Sequence, residues 1–295
     1  MKFRLSKNVR KFWSVITVFL GIIIVSGGWA TLRNSNNPKP FYFFQMSDPQ
    51  FGMFTDNHGF VRETQNFEKA IAAANRLHPA FVIVCGDLVN RTGDSVQIAE
   101  YKRIAAKLDP SIPLYNVAGN HDVANAPTAA SLADYRKNFG PDYYTFEHGN
   151  LYGIVLNSSL IFDSSKTPEE AAKQDAWLHT TLEGTKKLKH KNIVVFEHIP
   201  WFINELNEKN GYFNIPIKTR KAYIDLLKKY GVRYVFAGHL HKNAIGTDGN
   251  LTIVTTGPIG KPLGKDSSGF RIVTVNGSKF GYPYYRLDSI PDSIH

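Results

Sequence analysis

The chain has 295 residues, 43% of them hydrophobic and 13% aromatic, enough to build a sizeable core in one large or two small domains. Its formal net charge is +10, but Lys2, Arg4, Lys7, Arg10, Lys11, Arg33 and Lys39 supply seven of those charges within an acid-free leader, and the rest carries 28 Lys+Arg against 25 Asp+Glu. A nearly neutral body disfavours a nucleic-acid partner, and a single cysteine, Cys85, excludes a disulfide within the chain.

The leader opens with five cations by Lys11 and continues from Phe12 to Ala30 as an apolar stretch. Nineteen residues of that kind predict an N-terminal hydrophobic helix that crosses a bilayer once, its cationic flank held back in the cytoplasm. Gly28-Trp29-Ala30 also fits a signal-peptide cleavage site, so residues 1–33 read as a signal peptide or a membrane anchor, with 34–40 as a linker. Either reading exports the body. Asn90-Arg91-Thr92 matches a glycosylation triplet, yet a glycan there would sit three residues from Asp87, which points to a bacterial periplasm or cell envelope.

From Phe41 onward, short apolar runs alternate with helical periodicity. Phe67–Leu77 reads as a helix with Ala70, Ile71, Ala74 and Leu77 on one face, and Ile98–Leu108, Ala130–Phe139, Glu169–Leu182 and Thr219–Tyr230 read likewise. The runs between them are almost wholly apolar, as strands buried on both faces should be. After Leu251 only strands are expected: Leu251–Thr256, Phe270–Val275 and Lys279–Arg286. The pattern predicts one α/β domain over 41–288 with a largely β C-terminal part and a short tail, 289–295.

Five apolar runs end in polar clusters. Phe41–Met46 leads to Ser47-Asp48-Pro49-Gln50, Ala80–Cys85 to Gly86-Asp87, and Ile112–Val117 to Gly119-Asn120-His121-Asp122. Ile193–Phe196 leads to Glu197-His198-Ile199-Pro200, and Arg233–Ala237 to Gly238-His239-Leu240-His241. In an open α/β sheet the ligand crevice lies beyond the carboxyl ends of the strands, where these clusters fall. Gly119 is expected to allow a sharp turn, and His239 and His241, alternating along an extended segment, to face one side.

Asp48, Gln50, Asp87, Asn120, His198, His239 and His241 make two carboxylates, two amide oxygens and three imidazoles, with no thiolate. That set suits two divalent ions of the Mn, Fe or Zn type sharing a carboxylate. Such a pair clamps the attacking and leaving oxygens of an in-line displacement at phosphorus and brings the pKa of bound water to about 7. Phosphoester hydrolysis fits best.

Asp-x-Gln, Gly-Asp, Gly-Asn-His-Asp, a lone His after a strand and Gly-His-x-His, in that order, resemble the calcineurin-like metallophosphoesterase superfamily. Ser47-Asp48-Pro49-Gln50-Phe51-Gly52, His198-Ile199-Pro200, Tyr212-Phe213-Asn214 and Gly238-His239-Leu240-His241-Lys242-Asn243 are similar to the branch of calcineurin-like phosphoesterase domain-containing protein 1, which is associated with Ser/Thr protein phosphatase activity. The resemblance implies a four-layer αββα metallophosphoesterase sandwich and a dinuclear metal-activated hydroxide. It implies that Asp48, Gln50, Asp87 and His241 hold one ion, and that Asp87, Asn120, His198 and His239 hold the other. His121 is then the catalytic proton donor to the leaving group, and Asn120 and Arg91 are substrate contacts.

Two positions depart from the family pattern. Gln50 stands where a His is usual and is a weaker donor. Asn90 stands where protein phosphatases carry a carboxylate that orients the catalytic imidazole; Asp122 is the alternative for that role. Trp201, Phe202, Tyr212 and Phe213 could wall the cleft or pack a loop onto the core, and Asn157 could reach the site or serve a turn. The expected function is phosphomonoester hydrolysis on a small-molecule or protein substrate, with a membrane partner through the leader if it is uncleaved. The alternatives are a phosphodiesterase on nucleotides or lipid head groups, and a metal- or phosphate-ligand-binding protein without turnover, the latter kept open by Gln50 and Asn90.

Overall fold

Alternating side chains on short apolar strands require something to pack on both faces, and the chain meets that requirement with two stacked sheets. The computed structural model describes residues 39–188 and 191–294, and Asn37–His295 form one compact unit. In chain order the elements are β1 (Phe41–Met46), a 3-10 turn (Met53–Thr55), α1 (Val61–Leu77), β2 (Val82–Val84), α2 (Ser95–Ala105), β3 (Leu114–Asn116), α3 (Asn120–Val123), α4 (Ala129–Phe139), β4 (Tyr144–His148) and β5 (Leu151–Val155). There follow α5 (Ser158–Phe162), α6 (Pro168–Thr185), β6 (Asn192–Phe196), α7 (Ile217–Lys229), β7 (Tyr234–Ala237), β8 (Ala244–Asp248), β9 (Leu251–Thr255), β10 (Gly269–Asn276), β11 (Lys279–Gly281) and β12 (Tyr284–Arg286).

The first sheet runs β11-β10-β1-β2-β3, with β12 also on β10; the second runs β4-β5-β6-β7-β9-β8. β1, β2 and β3 are parallel, as are β5, β6, β7 and β9, so in each sheet these carboxyl ends share one edge. The crossover helices force this arrangement.

The period-two pattern assigns each side chain to a layer. Phe43, Ile83, Phe196, Phe236 and Val273 meet in an apolar cluster shared by both sheets. Their neighbours Phe44, Val82 and Val84 turn the other way, against Phe67, Ala70 and Ala74 of α1 and Tyr101 and Ile104 of α2. Val195, Val235 and Ile253 pack against Leu178 and Leu182 of α6 and Ile224 and Leu227 of α7. Full burial of each such aliphatic or aromatic side chain contributes about 1.5–3 kcal/mol, which makes these three clusters the main stabilising term.

The five expected helices and the principal strands form, with small shifts at their ends. α1 begins six residues earlier than Phe67 because buried Glu63 in its first turn accepts from the Gly52 and Phe54 amides, a tertiary role that apolar periodicity does not register. α2 starts where Asp94 caps Val96 and Gln97. β4 and β8, unforeseen, are the two edges of the second sheet; edge strands are half-exposed and lack the continuous apolar signature.

The expected N-terminal hydrophobic helix, with its anchor or signal at 1–33, lies outside the described residues. Among the described residues no helix is long and apolar enough to cross a membrane.

Candidate active site

All five polar clusters meet where the two parallel edges adjoin. Backbone bonds zip their loops together: Asp48 N–H donates to Gly86 O (3.0 Å), Gln50 N–H to Asp87 O (2.9 Å), and Gly238 N–H to His198 O (3.0 Å). Asp87, His198 and His239 form one group able to hold a cation, and Asp48, Asp87 and His241 a second, with the ligand atoms of each within 4.8 Å of one another. Asp87 belongs to both.

Each of the seven expected ligands is tied through one atom and presents another. Asp48 Oδ2 accepts from Ser47 Oγ and from His239 N–H (3.1 Å), while Oδ1 is buried without a hydrogen-bond partner. Gln50 Nε2 donates to Asn90 Oδ1 at 3.2 Å, and its Oε1 is likewise buried and unpartnered. Asp87 Oδ1 accepts from His121 N–H at 2.8 Å, leaving Oδ2 3.2 Å from His198 Nε2. Asn120 Nδ2 donates to the Tyr212 hydroxyl (3.0 Å) and its Oδ1 lies 3.0 Å from His198 Nε2.

The imidazoles are oriented by backbone carbonyls. His198 Nδ1 is 2.8 Å from Cys85 O, His239 Nε2 is 2.9 Å from Tyr212 O, and His241 Nδ1 is 2.6 Å from Lys261 O. A carbonyl only accepts, so each of these nitrogens carries a proton, and the opposite nitrogen is the one that faces the cluster. This fixes Nε2 of His198, Nδ1 of His239 and Nε2 of His241 as the available donors.

Electrostatics agree with a site built for positive charge. Burial disfavours a charged His198, yet Asp87 and Asp48 push its pKa up to about 9. Burial and neighbouring His198 push His239 down to about 4. Burial would raise the Asp87 pKa, but His198, His121 and His239 together hold it below the usual carboxylate range. Two orphaned buried acceptors, with carboxylates, amide oxygens and imidazoles converging on them, match the donor chemistry of divalent cations.

Backbone strain is concentrated in the same place. Asp48 (φ 49°), Gln50 (φ 41°), Asp87 (φ 51°), His239 (φ 69°) and His241 (φ 55°) all occupy the left-handed region. Each such residue costs about 1–3 kcal/mol, a conformation tolerated where the surrounding structure enforces it. His239 and His241 therefore converge through a left-handed turn and not through the expected extended segment. Gly119 also departs from expectation: its φ of −100° is ordinary, and glycine is required because a Cβ would stand 2.1 Å from Asp87 N.

Among the remaining expected residues, His121 Nδ1 lies 2.7 Å from the backbone carbonyl of Asn90, so Nε2 faces the other way. Asp122 does not orient it: its carboxylate accepts from Leu88, Val89 and Gly119 amides and holds the Asp87 loop to the α3 turn. The Asn90 side chain serves Gln50 instead. Arg91 is 63% exposed at its side chain and its ion-pair contact is Asp94, at 3.9 Å. Asn157 caps α5 and bonds Asp142 and Gln174, a structural role. Trp201 and Phe202 are core residues, whereas Tyr212 is 48% exposed with its ring centroid 4.9 Å from His239.

Sequence reading missed Ser47, whose hydroxyl bonds Asp48, as well as Asn57 and Gln97, which position Asn90. Polar residues between apolar runs carry no periodic signal; only the proximity of Ser47 to Asp48 could have marked it.

The calcineurin-like phosphoesterase family profile matches residues 49–243. The chain is 38% identical over 268 residues to the serine/threonine-protein phosphatase CPPED1 of Bos taurus, covering 86% of each chain. It is 37% identical over 276 residues to that of Homo sapiens, covering 88% of each. The crystal structure of a dimetal phosphatase from Danio rerio shares the fold, with a TM-score of 0.62 at 14% identity, covering 84% of this chain and 96% of the other. These animal relatives overturn the expected bacterial periplasmic or envelope location, and the signal, membrane and transmembrane expectations are not carried forward. The chain belongs to the calcineurin-like phosphoesterase family and is a metal-dependent phosphoric ester hydrolase.

Proposed function

We propose that the protein removes phosphate from phosphomonoesters, with phosphoserine and phosphothreonine side chains as its substrate class, in one αββα domain spanning residues 41–288. The substrate class rests on the serine/threonine phosphatase activity named for relatives that match most of the chain. The observation that carries the chemistry is the pair of candidate ligand groups that share Asp87, with Asn120 Oδ1 beside His198 Nε2 and with Asp48 Oδ1 and Gln50 Oε1 buried without hydrogen-bond partners.

Asp48, Gln50, Asp87 and His241 would hold one divalent ion, and Asp87, Asn120, His198 and His239 the other, both of the Mn, Fe or Zn type. When bound, the pair supplies Lewis acidity to phosphoryl oxygens and acidifies water. The remaining steps fall to the chain itself. The tied atom of each ligand keeps its presented atom from swinging away, so little reorganisation accompanies the reaction. His121 donates its Nδ1 proton to the Asn90 carbonyl, so its Nε2 protonates a departing oxygen only from the imidazolium form.

The test is hydrolysis of p-nitrophenyl phosphate by the full chain, stripped of metal and resupplied with Mn²⁺, beside bis(p-nitrophenyl) phosphate and a phosphoserine peptide. Ion-dependent turnover of the monoesters is expected. Turnover of the diester alone would sink the proposal.

A further inference from the structure

Building on the monoesterase reading, we propose that the Tyr212 hydroxyl is the side-chain donor to a phosphate oxygen bound at the ion cluster. Tyr212 lies on the segment between β6 and α7, and two polar contacts fix it. Its carbonyl accepts from His239 Nε2 at 2.9 Å, and its hydroxyl oxygen accepts from Asn120 Nδ2 at 3.0 Å. Core packing is not the reason for its position: Trp201 and Phe202 of the same segment are fully buried, while Tyr212 is 48% exposed.

A phenolic oxygen has one proton to give and two lone pairs to fill. The Asn120 amide donates to one lone pair, so the O–H is directed away from it. The donor thus lies beside two of the residues, Asn120 and His239, that present atoms to the cluster. An anion drawn to that side of the cluster would satisfy it.

The segment is built to hold this position. Arg220, fully buried, donates to the carbonyls of Ile215 (2.9 Å), Leu206 (2.8 Å) and Glu208 (2.9 Å). The Glu208 carboxylate in turn accepts from the Ile203 amide (2.8 Å) and from Asn214 Nδ2 (2.7 Å). A buried guanidinium spent on three carbonyls orders a loop that has no sheet partners. Arg91, the phosphate contact expected from the sequence, lacks any comparable anchoring: its side chain is 63% exposed.

The experiment compares the Mn²⁺-loaded full chain with Tyr212→Phe, which keeps the ring and the carbonyl bond to His239 and removes only the hydroxyl. Calorimetric binding of inorganic phosphate, metal content per chain, and kcat and KM for p-nitrophenyl phosphate are the readouts. Loss of a hydrogen bond to a charged ligand predicts phosphate binding weaker by roughly 10- to 100-fold and a matching rise in KM, with two ions per chain retained. Unchanged phosphate affinity would overturn the proposal. So would a loss of affinity that vanishes when both proteins are compared at equal metal content, since Tyr212 would then only position Asn120. Wild-type protein that binds phosphate but turns over no monoester would refute the monoesterase reading and leave the Tyr212 comparison intact.

Discussion

Gln50 Nε2 donates to Asn90 Oδ1 across 3.2 Å, and that one bond couples the two positions at which this sequence departs from its family pattern. Asn90 in turn donates through Nδ2 to Asn57 Oδ1 (2.9 Å), while its backbone N–H bonds Gln97 Oε1 (2.9 Å). An amide at position 90 can accept from Gln50 and donate to Asn57 at once, which a carboxylate cannot. The two departures compensate one another.

Asn90→Ala should therefore separate ion binding from proton donation. The partner that orients Gln50 is lost, which lowers affinity for the ion at that end by roughly 10- to 100-fold. The backbone carbonyl of Asn90 still holds His121, so kcat at saturating Mn²⁺ should stay within a few-fold of wild type. Metal titrations of activity read both quantities; a collapse of kcat at saturation would contradict the assignment.

Asp87 is common to both ligand groups, so Asp87→Asn should disable both at once. Turnover should fall by at least about a thousandfold, and bound metal below two ions per chain. Elemental analysis beside a p-nitrophenyl phosphate assay checks it, and a variant that keeps two ions and near-normal turnover would exclude Asp87 as the shared ligand.

For His121→Ala the substrate decides the size of the effect. p-Nitrophenolate leaves without needing a proton, whereas a serine alkoxide does not. Loss of general acid catalysis should thus cost about 10²–10⁴-fold on a phosphoserine peptide and far less on p-nitrophenyl phosphate. Equal losses on both substrates would show that His121 serves another purpose.

Gly119→Ala tests the packing of loops behind the site. The added methyl would lie 2.1 Å from Asp87 N and 2.2 Å from Asp87 Oδ1, distances that force one loop to move. Overpacking of this kind costs about 1–3 kcal/mol and should also reduce metal affinity, because the displaced residue is Asp87 itself. A denaturant midpoint indistinguishable from wild type would show that the loops yield more easily than their bonding implies.

Glu197 gives a prediction with a definite pH sign. It is fully buried, both carboxylate oxygens lack partners, and burial pushes its pKa well above its ordinary value of 4.5. The folded state therefore holds this proton when the unfolded chain has released it, so its contribution to stability falls as pH rises above the ordinary carboxylate range. Glu197→Gln should flatten that decline and make the protein more stable than wild type at pH 8, as read from urea unfolding at several pH values. Parallel stability curves would remove Glu197 from the account.

Some features follow from the order of residues alone. Phe41–Met46 and Tyr234–Ala237 are recognisable as buried strands because a strand covered on both faces is apolar at nearly every position. The polar residues directly after such strands stand out for the same reason, and so Asp48, Asp87, Asn120, His198, His239 and His241 are visible without coordinates. β4 and β8 are not visible, since each lies along an edge of its sheet and has one fully buried residue, Phe146 in β4 and Gly246 in β8. The role of Asn90 is hidden too, because it depends on Gln50, forty residues away.

The sequence by itself determined the strand ends, the donor types and the order of the motifs, since local apolar patterning and side-chain chemistry are properties of neighbouring residues. Only the tertiary structure decided which atom of each candidate ligand is presented. That choice is made by distant partners: Cys85 O for His198, Tyr212 O for His239, Lys261 O for His241 and Asn90 Oδ1 for Gln50. It also decided that five of the candidate ligands adopt left-handed backbone, a cost of about 1–3 kcal/mol each that local preference opposes and long-range hydrogen bonding overrides.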